Sequence, residues 1–102
     1  MHVELTDRGS LLIPADVFAA CFGGSPSALV AVRGGELWVV ALADGAVGGL
    51  IVKQRNLRGD RAMLVSEQLD GTEWQPGTRE AVWDAGERAL RLPLGIPAEA
   101  RA

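Results

Sequence analysis

Tyrosine is absent from the 102 residues, and histidine and cysteine occur once each, as His2 and Cys21. A single cysteine closes no intrachain disulfide, so nothing points to an oxidising compartment. One histidine beside one cysteine nearly excludes an all-protein zinc site. Long hydrophobic runs are missing. The longest, ALVAV and LWVVALA, fall far short of the ~20 residues that a membrane-crossing helix needs. The opening MHVELTDRGS lacks the basic start and apolar core of a secretory signal, so a cytoplasmic chain is expected. Bases are scarce too. Ten Lys and Arg stand against thirteen Asp and Glu, for a net charge of −3, and no broad polyanion-binding surface is expected. The rest of the composition, 48% hydrophobic and 23% charged, is that of one globular domain.

Catalytic side-chain sets are also missing. Ser10, Ser25, Ser27 and Ser66 have no histidine positioned by sequence to act as their base. Cys21 has no basic neighbour to lower its pKa and reads as a small buried hydrophobe. Glu67 with Asp70, and Glu73 with Glu80, show no glycosidase or protease spacing. GGLIVK at 48–53 lacks the length and the Ser or Thr of a phosphate-binding loop. Arg58-Gly59-Asp60 spells a cell-adhesion tripeptide without the context that gives it meaning. The chain therefore reads as a non-enzyme needing neither cofactor nor metal, with His2 a surface residue.

What the sequence does hold is a period-two pattern. His2 to Thr6 and Ser10 to Ile13 read as strands around an Asp7-Arg8-Gly9 turn. Pro14 suits the start of a helix over ADVFAACF, and Gly23-Gly24 suits its end. Ala28 to Arg33 and Glu36 to Leu42 form a hairpin around Gly34-Gly35. Residues 43–49 read as a linker. Gly49 to Arg55 and Arg61 to Glu67 follow as strands around a turn at 56–60. After a polar loop at 70–77, Thr78 to Asp84 and Arg88 to Leu92 form a last hairpin around Ala85-Gly86, and residues 95–102 read as a frayed tail. The two halves, 3–42 and 50–94, repeat one pattern: an Arg-Gly turn, an apolar strand, an excursion and a Gly-turned hairpin. The expected fold is a single mainly β domain over 1–94, a small barrel or barrel-like sandwich of two similar halves with one short helix.

Residues 3–42 resemble the AbrB/MazE/MraZ type of swapped-hairpin barrel. The resemblance lies in VELT, the charged turn of Asp7, Arg8 and Gly9, the strand into Ile13-Pro14, the short helix ending in glycine, and the hairpin closing on ELWVV. It covers about two-fifths of the chain and implies a barrel of the swapped-hairpin or cradle-loop type, often dimeric and often DNA-binding. Arg-Gly-Asp-Arg at 58–61 is similar to the Gly-Asp turn of double-psi and cradle-loop barrels. The helix departs from the DNA-binding pattern, since ADVFAACF carries an acid and no base. Phosphate neutralisation drives nucleic-acid affinity, so this half is poorly equipped for DNA.

Lys53, Arg55, Arg58 and Arg61 crowd one short segment with Asp60 as the only acid among them. Such a group can orient an acidic partner, or it can guard a solvated strand edge. Trp74 stands in a polar loop, where it can anchor a partner or cap the barrel mouth. Trp38 and Trp83 fall at matching places in the two hairpins. The favoured function is a binding or assembly module that acts through a protein–protein surface on an unidentified partner, as a homo-oligomer or small accessory subunit. Its expected partner-binding residues are Lys53, Arg55, Arg58, Arg61 and Trp74. The competing expectation is an AbrB-like DNA-binding regulator or antitoxin, with Arg8, Lys53 and Arg55 on phosphate. A small-ligand binder would need a cavity.

Overall fold

The computed structural model describes residues 1–43 and 48–95. Its strands are β1 (His2–Leu5), β2 (Ser10–Ile13), β3 (Ser27–Arg33), β4 (Glu36–Ala41), β5 (Leu50–Ile51), β6 (Lys53–Gln54), β7 (Arg61–Leu64), β8 (Gly77–Glu80), β9 (Val82–Asp84) and β10 (Ala89–Pro93). Two helices, α1 (Ala15–Phe22) and α2 (Ser66–Leu69), complete the set. The strands form two five-stranded antiparallel sheets, β6-β7-β2-β1-β8 and β5-β3-β4-β10-β9. The domain is mainly β, as the alternating pattern indicates. Among the described residues no helix is long and apolar enough to cross a membrane.

Local chemistry accounts for the elements. The buried–exposed alternation of β1, β2 and β4 points Val3, Leu5, Leu11, Ile13, Leu37 and Val39 inward. Gly34 and Gly35 both have positive φ, as the tight turn between β3 and β4 requires. Pro14 stands at the mouth of α1, and its carbonyl accepts the Phe18 N–H at 2.9 Å. Gly23 ends the helix in the left-handed conformation. Along α1, Val17, Phe18, Cys21 and Phe22 face the core, where the Phe18 and Phe22 rings stack at 5.5 Å. Each fully buried Leu, such as Leu5 or Leu90, contributes about 2 kcal/mol against exposure.

Two long strands read from the pattern are in fact broken. The stretch 49–55 divides at Val52: β5 pairs with β3 in one sheet and β6 with β7 in the other. The stretch 78–84 divides at Ala81: β8 pairs with β1 and β9 with β10. Val52 and Ala81 are both buried, so each corner turns about a small apolar side chain. The expected last hairpin keeps only its β9–β10 part, closed by a turn in which Arg88 takes positive φ. The strand expected to run to Glu67 stops at Leu64, and the chain enters the second helix instead. The Val65 carbonyl there accepts the Leu69 N–H, and the Ser66 carbonyl accepts that of Asp70. The result is two sheets bridged by chain along both edges, rather than one continuously bonded closed barrel. The proposed linker and tail fall largely on residues 44–47 and 96–102, outside the described residues.

The pairings follow a twofold pattern. Exchanging β1 with β5/β6, β2 with β7, β3 with β8/β9 and β4 with β10 maps the observed pairings onto one another. The pairs β2–β7 and β4–β10 map onto themselves, centred near Leu11↔Met63 and Trp38↔Arg91.

Candidate functional site: the basic turn

The turn between β6 and β7 is built by its own side chains. The Arg55 N–H donates to the Asp60 carbonyl at 2.7 Å, and the Gly59 N–H to the Asn56 carbonyl at 3.2 Å. Asn56 Oδ1 accepts the N–H groups of Arg58 and Asp60 at 3.1 and 3.3 Å. This is the local bonding by which an Asx side chain replaces a backbone turn. Gln54 Nε2 adds a bond to the Asn56 carbonyl at 2.7 Å. Asp60 Oδ2 accepts from Asn56 Nδ2 and Arg58 Nη2, both at 2.9 Å, and its Oδ1 accepts the Ala15 N–H at 2.9 Å. The Asn56 amide, then the Ala15 N–H and Arg58, hold the Asp60 carboxyl below the usual aspartate range. Gly59 has φ +94°, a conformation that an L side chain rarely adopts.

The first turn of the chain is made the same way. The Thr6 N–H donates to the Ser10 carbonyl, the Gly9 N–H to the Thr6 carbonyl, and the Ser10 N–H to Thr6 Oγ1. The two Arg-Gly turns lie at opposite ends of their sheet, because β2 and β7 run antiparallel with Ser10 beside Leu64 and Ile13 beside Arg61.

The residues singled out by sequence divide on this framework. Lys53 and Arg55 are exposed. Arg55 also lines a cleft of about 240 Å³ with His2, Glu4, Asp60 and Thr78. Arg58 is exposed but paired with Asp60 at 2.9 Å. Arg61 is half-buried. Its guanidinium lies 4.3 Å from the centre of the Phe18 ring, with Nε buried and unbonded. Trp74 is half-buried against the core in the loop before β8. Arg8 is exposed in the other turn, so Arg8, Lys53 and Arg55 are not gathered into one surface.

Leu57 is the residue that sequence reasoning passed over. It stands at the tip of the basic turn and is as exposed as in an extended chain, at 102% relative accessibility. The available signal was an isolated large apolar residue between Asn56 and Arg58, in a stretch that has to turn. Its neighbours Arg55 and Arg58 are exposed as well. The arrangement offers an apolar knob on a hydrogen-bonded turn with cations beside it, and among the described residues no group of three or more His, Cys, Asp or Glu stands ready to hold a metal ion. Comparison with protein-family models, with curated proteins and with solved structures finds no match.

Proposed function

We propose that this chain is a non-enzymatic binding module that docks onto a protein partner through the 53–60 turn. Leu57 is the anchor, and it enters an apolar pocket of the partner. Lys53 and Arg55 orient an acidic rim around that pocket and speed encounter. The observation that carries this reading is full exposure of Leu57 on a turn already held by Asn56 and Asp60. Burying a Leu side chain yields about 2 kcal/mol. A pre-organised turn spends little of that on ordering.

Two features weigh against the competing regulator of the AbrB-like type. Arg58 is neutralised by Asp60, and Arg61 is turned onto Phe18. Lys53 and Arg55 then remain on one end of the sheet and Arg8 on the other, too few together for a phosphate track.

The test is site-specific photo-crosslinking from position 57 in extract of the source cells. A specific adduct that excess unlabelled chain abolishes, and the Leu57→Asp chain does not, is the expected result. Absence of any such competition ends the proposal. A salt-dependent shift of random duplex DNA would favour the regulator instead.

A further inference from the structure

The outer face of the second sheet breaks the usual rule that a water-facing antiparallel sheet alternates to polar. Register places Ala31, Trp38, Arg91 and Val82 in one cross-strand row. Leu29 lies opposite Val40 in the next row, and Ile51 is paired with Ser27 at the β5 edge. Leu29, Val82 and Ile51 are 51%, 60% and 67% exposed. Three large exposed apolar side chains on one five-stranded face mark an interaction surface rather than scattered decoration.

The charges on this face identify the partner. The guanidiniums of Arg33 and Arg91 each lie 4.3 Å from the centre of the Trp38 ring. Arg91 is shared by two carboxylates, Glu36 at 2.7 Å and Asp84 at 3.4 Å. Arg33, exposed, has no carboxylate within ion-pair distance among the described residues. Two cations and two anions leave the face neutral, so it gives no steering to an acidic or a basic partner. They also leave it self-complementary: one guanidinium short of a carboxylate, and two carboxylates sharing the other guanidinium. Size sets the strength of the contact. β5, β3, β4, β10 and β9 run two, seven, six, five and three residues. At ordinary strand rise and spacing that is ~360 Å² per copy and ~730 Å² for a facing pair, the size of a weak, reversible association.

We infer that this face binds a second copy of the same chain, sheet against sheet about a twofold axis, with Trp38 near the centre and Arg33 of each copy meeting the carboxylates of the other. The surface is separate from the basic turn and does not depend on the docking proposed for it.

Sedimentation equilibrium on the full chain tests the inference. The expected result is a species of twice 10.7 kDa. Leu29→Lys combined with Val82→Lys should raise its dissociation constant at least ~tenfold, as should Arg33→Glu alone. Because these side chains are exposed, circular dichroism and the melting temperature should stay near wild type, which separates lost association from lost folding. Leu57→Asp should leave the dimer intact. A wild-type chain that stays monomeric at every concentration, or a dimer that survives both sets of substitutions, overturns the inference.

Discussion

Asp60 reaches across forty-five residues of sequence to accept the backbone N–H of Ala15 at 2.9 Å. The first turn of α1 has no side-chain cap of its own, because Pro14 occupies the cap position. Asp60 supplies the missing acceptor while closing its own turn, so one carboxylate joins the basic segment to the helix of the other half.

That carboxylate gives a pH signature. Its folded pKa is depressed, first by the Asn56 amide and then by the Ala15 N–H. A depressed folded pKa contributes stability that is present above the ordinary aspartate pKa and lost as pH falls through the folded value. The melting temperature should therefore fall with acidification from the ordinary aspartate range downward. Asp60→Asn should melt lower at neutral pH and show a flatter acid limb. Glu80, held low by its bond from the N-terminal amine, adds its own acid loss to both proteins, so the difference between them isolates Asp60. A melting difference that stays the same at every pH would mean that the charge is not the stabilising feature.

Arg79 is a buried cation whose partners among the described residues are all carbonyls. It is 1% exposed and donates to the carbonyls of Pro93 at 2.9 Å, Leu94 at 2.7 Å, Thr78 at 3.3 Å and Gln75. It ties the loop before β8 to the end of β10. Arg79→Met removes four donated bonds and leaves the Leu94 carbonyl with the Gln75 N–H alone, which should cost about 3 kcal/mol in urea unfolding, seen as a lower midpoint at unchanged slope. Arg79→Lys should recover only part, since a point charge cannot span four acceptors. A loss under about 1 kcal/mol for the methionine variant would show that water replaces the clamp.

Two glycines separate strain from clash. Gly9 has φ +81°, and an added Cβ would lie 2.8 Å from Ser66 Cβ. Gly71 has φ +78° with open space around it. Gly71→Ala should cost about 1 kcal/mol, the left-handed penalty alone. Gly9→Ala should cost about 2 kcal/mol more, because the backbone at Ser66 has to shift. Chemical denaturation of the two variants checks the order, and equal losses would rule out the contact at Ser66.

Leu57→Ser should leave stability within about 0.5 kcal/mol of wild type, because a fully exposed side chain contributes no packing. The same substitution should abolish the crosslink from a neighbouring position such as Arg58. A clear drop in thermal stability would mean that Leu57 packs within the molecule and is not a free anchor.

Much of the architecture was legible in the residues themselves. Alternation in HVEL, SLLI and ELWVVA set which side of each strand is buried. Pro14 and Gly23 bounded α1, and Gly34-Gly35 set the central turn. Those are local signals, carried by φ preferences and side-chain period within a few residues. The basic segment was visible as composition.

Only the tertiary structure decided the rest. Strand breaks at Val52 and Ala81 come from two sheets competing for one continuous strand, and no local preference records that competition. Arg61 and Arg58 look alike in sequence, yet Phe18 takes one inward and Asp60 neutralises the other. Leu57 and Leu5 have the same side chain; their opposite exposure, 102% against 0%, depends on what the rest of the chain packs against each. Period and turn chemistry are written along the chain, whereas the pairing of charges and the burial of a given leucine depend on which distant residues arrive beside it.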